Sequence, residues 1–362
     1  MSSAYPFGND PSKIDGYKKF WARAEVKRPL VGFSIKSWFP LEEFEASRDW
    51  QSHRILTPEM IDPAAFMDDQ ERLLREGEAM DDDILRGASP SQAVFWLCAM
   101  LGATLRILPG NTMAEEKWLS WEALEQMRLE HDSPWFQKYM EFAETLVSRA
   151  NGRFPVSHGT LLGPSDLFAV FCGHTQCLLD LIEEPKKSQK ILWHFGKIFQ
   201  EITEEVWKRL PRFCGGYFDA QYQLWTEQPI IRMQEDAIAV YSPKLYRTLV
   251  QPVDQYLAQQ FGGSFMHLHS TSMFLLDALL EIEGLHCFEV NYEVDSGGPD
   301  IHGMVPYFRK FQEAQRALVI RGSFTPEELR YLVDSLDPRG LYLYIMVQNM
   351  QEVETLRPLV GM

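Results

Sequence analysis

The feature that most constrains the fold is a regular alternation of strand and helix patterns in the C-terminal part of the chain. Four short apolar runs, "SFMHLHS" (264–270), "HCFEVNYEVD" (286–295), "ALVIRGSF" (317–324) and "LYLYIMVQ" (341–348), are separated by the helical patterns "MFLLDALLEIEGL", "PYFRKFQEAQR" and "PEELRYLVDSL". A last helix, "MQEVETLRPLV", closes the chain. Strands spaced by helices in this way form βαβ units and a parallel sheet. Upstream, "RPLVGFSI" (28–35), "ATLRILPG" (103–110), "GGYFDAQYQLW" (215–225) and "QPIIRMQED" (228–236) also read as strands. "RFPVSHGTLLGPSDLFAVFCG" (153–173) reads as a strand, a Gly-Pro turn and an apolar helix, with Ser165 or Asp166 placed to cap that helix. About eight strands without a glycine-rich dinucleotide fingerprint favour an α/β fold of the closed (β/α)8 TIM-barrel type over an open sheet. Residues 28–362 are assigned to the barrel and residues 1–27 to an N-terminal extension.

Composition narrows the function classes. Of 362 residues, 45% are hydrophobic and 24% charged, which suits a soluble globular protein with a core of its own. The net charge of −16 argues against a nucleic-acid phosphate backbone as partner. No apolar run is long enough to span a membrane, and the N-terminus lacks an apolar signal core. The cysteines, Cys98, Cys172, Cys177, Cys214 and Cys287, are odd in number and match no disulfide or zinc framework. A cytoplasmic location is expected, and a homodimer is compatible with the many aromatic residues.

A barrel builds its site where strands run into the loops that follow them. The polar residues assigned to those ends are His158, Asp219, Tyr222, Glu235, Asp236, His267, His269, Glu289, Asn291 and Arg321. His267 and His269 stand two apart in "SFMHLHS", so one strand face carries both imidazoles. Glu289, Asn291 and Glu293 alternate in the same way along "CFEVNYEV". Imidazoles and carboxylates are costly to bury unless paired or metal-bound, so this convergence points to a metal or acid/base site. Tyr222, Trp225, Arg232, Asn291 and Arg321 are the candidates for substrate contact. His158 and Asp236 also have plain structural readings: a satisfied loop carbonyl and a turn former.

The order of segments resembles the uroporphyrinogen decarboxylase superfamily. The resemblance runs over roughly residues 28–360 and rests on "RPLVGFSIKSWFPLEEF", "VSHGTLLGPSDLFAVFCG", "EDAIAVYSPKLYRTLVQP", "FMHLHSTSMFLLDALLEIEGLHCFEVNYEVD" and "LVIRGSFTPEELRYLV". Within the superfamily, the chain is more similar to the cobalamin- and coenzyme-M-dependent methyltransferases than to the decarboxylase. The decarboxylase has a Gly-Arg pair where this chain reads Lys36-Ser37-Trp38-Phe39, and its Phe-Ser-Asp stretch has no counterpart.

The resemblance implies a zinc site. The methyltransferase branch carries His-x-Cys and a later Cys on zinc. Here His267 falls on the His and His269 on the first Cys, and "YLYIMVQNM" lacks the later one. Glu289 or Asn291 is the implied third ligand, giving a metal set of His267, His269 and Glu289. Such a set is harder than a thiolate site and better suited to oxygen-bearing substrates. The implied activity is transfer of a methyl group from a small methylated compound, such as a methoxy or methylamine compound, with a corrinoid carried by a partner protein. His158, Asp236 and Asp219 are the candidate catalytic residues. Two other readings stay open: a metal-free decarboxylase or lyase on a small carboxylate held by Arg232 or Arg321, and a non-catalytic ligand-binding barrel.

Overall fold

The computed structural model describes residues 5–35 and 41–362. The segment Lys36 to Phe39, singled out above, lies outside the described residues. At the centre is a six-stranded sheet: β1 (Leu30–Ile35), β2 (Ile230–Gln234), β3 (Gly263–His269), β4 (Cys287–Asn291), β5 (Ala317–Gly322) and β6 (Leu341–Val347), in the order β1-β6-β5-β4-β3-β2. All neighbours are parallel. This is the parallel sheet that the strand–helix alternation predicts.

Side chains alternate across this sheet. Met266, Leu268, Phe288, Val290, Leu318, Ile320, Leu343 and Ile345 pack into the large core beneath the helices. Phe265, Cys287, Ala317, Val319, Tyr342 and Tyr344 belong to a second, interior core. Burial on both faces explains why these strands read as nearly continuous apolar runs. The helices begin and end on local signals. Ser133 caps Pro134–Ala150 and Asn151 ends it at φ 43°, while Thr325 and Glu328 form a capping box on Pro326–Ser335.

Two irregular segments join the sheet's free edges, giving a barrel-like arrangement. Asp83 donates its backbone N–H to Val31 of β1, and Ala88 bridges Val156 in parallel. Ala88 donates to Pro155 O (3.0 Å), Ser157 donates back to Ala88 O (2.9 Å), and Gly163 donates to Gln234 O of β2 (2.9 Å). Neither segment makes a full ladder. Pro155 has no N–H to give, and a Cβ on Gly87 would meet Phe218 at 2.3 Å and Pro155 O at 2.7 Å. The expected strand at 153–158 is therefore a single bridge. The expected strand at 103–110 does form (Leu105–Leu108), but it pairs antiparallel with Ile55–Leu56 and Asn111–Ala114, apart from the central sheet.

The run 215–225 departs from expectation in a way that matters for the site. It folds as an antiparallel hairpin, Tyr217–Asp219 with Leu224–Thr226. The hairpin packs with Tyr17 and Phe20 of the helix Ile14–Trp21 against the first residues of the strands: Leu30, Ile230, Cys287 and Ala317. The Tyr17 hydroxyl donates to Gln223 O (2.6 Å) and the Tyr342 hydroxyl to Tyr222 O (3.0 Å). The N-terminal end of the sheet interior is thus a sealed aromatic floor.

Candidate functional site

The opposite end is built on β3. His267 and His269 both face the interior, two and four positions up from Phe265 in the floor. Their Nε2 atoms point at each other across 3.3 Å. Their Nδ1 atoms point away, each to a carboxylate supplied by β4 or the loop after it. His267 Nδ1 lies 2.5 Å from Glu289 Oε2, its register partner, and His269 Nδ1 lies 2.6 Å from Glu293 Oε2. Both carboxylates have further partners. The Tyr222 hydroxyl lies 2.7 Å from His267 Nδ1 and acts on Glu289, while Asn291 donates to Glu293 Oε1 (3.1 Å) and accepts from Arg321 (3.1 Å). A carboxylate on Nδ1 fixes the ring and leaves Nε2 as the free ligand atom.

Asp236 completes the group. It opens the turn of helix Asp236–Val240 after β2, and its Oδ1 is 3.6 Å from His269 Nε2. One ligand atom each from Asp236, His267 and His269 lie within 4.8 Å of one another.

Electrostatics divide the two imidazoles. Burial, reinforced by the charge on His269, pushes His267 down to about 3, so it is neutral at pH 7. Burial opposes charge on His269 too, but Glu293 and Asp236 outweigh it and hold this ring up at about 9. Burial raises Glu289 to about 8, against the pull of Arg321 and Tyr222. The 3.3 Å approach of the two Nε2 atoms suits a hydrogen bond between a ring held charged, His269, and one held neutral, His267. A divalent cation also fits there. Donors bound at about 2.0–2.1 Å around a tetrahedral centre lie about 3.3–3.4 Å apart; the two Nε2 atoms are at 3.3 Å and Asp236 Oδ1 is 3.6 Å from His269 Nε2. Two imidazoles and one carboxylate with a position left open is the donor set of a catalytic zinc site.

The other residues singled out from sequence divide sharply. Glu289 sits on the far side of His267 from the paired Nε2 atoms, and Asp236 takes the third position in the cluster. Asp219, Tyr222 and Trp225 belong to the floor hairpin, not to strand ends at the mouth. Asp219 is fully buried and faces Arg232 (3.3 Å). Trp225 is buried in the floor with its indole N–H on Phe213 O (2.8 Å). Arg232 is buried on Asp219, Gln92 Oε1 (2.9 Å) and Thr160, so its charge is compensated within the protein. His158 is buried beside Asp219 (3.8 Å), with Nδ1 on Gly159 O (2.8 Å), the loop-carbonyl role. Burial and then Arg232 push it below its ordinary range. Asn291 and Arg321 stand at the site as partners of Glu293. The partner role of Glu293 was legible only as the third member of an alternating run, and the hairpin's reach to His267 through Tyr222 had no sequence signal.

No protein-family model matches this sequence, and no curated protein matches it. Among solved structures, a methyltransferase from Methanosarcina mazei superposes with a TM-score of 0.65 over 98% of this chain and 98% of its own, at 11% sequence identity. The likeness is one of fold, and it extends end to end. No helix among the described residues is long and apolar enough to cross a membrane. The described cysteines are all free, with Cys214 exposed and the others buried.

Proposed function

We propose that this protein is a zinc-dependent methyltransferase of the uroporphyrinogen-decarboxylase-like group, built on a closed (β/α)8 barrel whose two irregular segments serve as the second and third staves. The observation that carries the reading is the pair of Nε2 atoms 3.3 Å apart, each ring anchored through Nδ1 by its own carboxylate. His267, His269 and Asp236 would hold the metal. When bound, zinc supplies a Lewis acid that activates a substrate heteroatom. The chain's own residues prepare that role. Glu289 and Glu293 fix the orientation of the two rings through their Nδ1 atoms, Asn291, itself held by Arg321, holds Glu293, and the floor excludes water from below. The substrate is a small methylated compound, and the corrinoid that exchanges the methyl group is carried by a partner protein. The mouth suits a docking partner: the loops after β2, β3 and β4 expose Val240, Phe274 and Val294 around Asp236 and His269.

The test is metal content by plasma mass spectrometry on wild type, His267→Ala, His269→Ala and Asp236→Ala. It is followed by methyl transfer to cob(I)alamin read by absorbance. About one zinc per chain, lost in the histidine variants, is expected. A protein that takes up no metal and transfers no methyl group sinks the reading.

A further inference from the structure

Asp236 is the least buried of the three donors and sits on a turn, where a side chain is hard to place accurately. Its backbone is nevertheless gripped. Four residues at the end of the second irregular segment, Gly163 to Asp166, clasp four at the end of β2, Gln234 to Ala237. Gly163 N–H donates to Gln234 O (2.9 Å). Ser165 donates its backbone N–H (2.8 Å) and its hydroxyl to Glu235 Oε2. Asp236 and Ala237 donate their backbone N–H groups back to the two oxygens of Asp166 (3.2 and 2.7 Å).

The sequence suggested that Ser165 or Asp166 caps its own helix. Instead the helix Pro164–Cys172 has no side-chain cap, and neither does Asp236–Val240 from its own Glu235. Asp166 reaches across and caps that second helix. The approach leaves no room for error: a Cβ on Gly163 would fall 2.1 Å from Gln234 O. Ser165, Asp166 and Glu235 are all buried, and a clasp of buried hydrogen bonds permits one backbone position.

We propose that Asp166, backed by Ser165 and Glu235, is a positioning residue that sets Asp236 against the histidine pair. This deepens the zinc reading above and rests on it. The probe is cobalt(II), whose visible absorption reports the number and kind of its ligands, with zinc affinity from chelator competition alongside. In Asp166→Asn one backbone N–H would face an amide N–H₂ instead of an oxygen. Cobalt affinity is expected to fall about 10–100-fold, and the spectrum to move toward that of Asp236→Ala. Ser165→Ala keeps one of the two donors to Glu235 and is expected to lose a few-fold. It decides the question if Asp166→Asn does not fold. Thermal unfolding without metal separates loss of stability from loss of position. Wild type that binds neither metal removes the zinc reading and this proposal together. Wild type that binds, with Asp166→Asn or Ser165→Ala unchanged in affinity and spectrum, overturns the positioning role alone.

Discussion

The strand Gly263–His269 begins in one chemical world and ends in another. At its start, Phe265 packs among Tyr17, Trp225, Cys287 and Tyr342, a floor held by aromatic burial. At its end, His267 and His269 stand among Glu289, Glu293 and Asp236, a mouth held by hydrogen bonds and ion pairs among ionisable groups. The floor spends its residues on stability, while the mouth gathers buried ionisable groups that stability alone would not favour. The two ends meet at one atom group, the Tyr222 hydroxyl, which belongs to the floor hairpin and touches the histidine of the mouth.

Substitutions should separate the ends. Trp225→Ala, in the floor, is expected to cost about 3–5 kcal/mol by chemical denaturation. The zinc content of the folded fraction should stay the same, and a fall would join floor and mouth. Glu289→Gln, in the mouth, should do the reverse. Zinc affinity drops about 10–100-fold in a chelator competition, with an unfolding midpoint equal to or above wild type. Tyr222→Phe sits on the boundary. It should lose about 0.5–1.5 kcal/mol of stability and a few-fold in zinc affinity together. An effect on stability with none on affinity would show the ends to be independent.

A pH-dependent effect belongs to the wall beside the mouth. Asp254, buried in the first turn of helix Gln251–Gln260, accepts the Tyr246 hydroxyl (2.6 Å) and is raised by burial to about 7. A carboxyl whose folded value lies above its unfolded one keeps a proton that the unfolded chain has released. Stability is therefore present below about pH 4 and declines as pH rises toward about 7. Asp254→Asn should flatten that slope, matching wild type near pH 4 and exceeding it at pH 7.5, as read from denaturation at both.

Much of this was legible. The apolar runs at 264–270, 286–295, 317–324 and 341–348 gave strands in the right order, and period-two spacing put His267 and His269 on one face. The same spacing placed Glu289, Asn291 and Glu293 together. Periodicity says which residues share a face but not which end of a sheet a segment reaches. "GGYFDAQYQLW" therefore reads as a strand leading to the mouth, while its chain reversal at Ala220 to Gln223 sends it to the floor. The choice between Glu289 and Asp236 as third donor needs ring orientation, which depends on Tyr222 from 45 residues upstream of His267. The clasp at Asp166 joins segments 70 residues apart and has no local pattern.

The sealed floor also dictates an order of events. The Tyr217–Thr226 hairpin closes the N-terminal end of the sheet interior, so among the described residues the approach to His267 and His269 is from the opposite end. For the methyl transfer proposed above, this predicts that the small molecule enters before a large partner docks and leaves after it. Order-of-addition kinetics with the small methylated compound and cob(I)alamin would read that sequence directly.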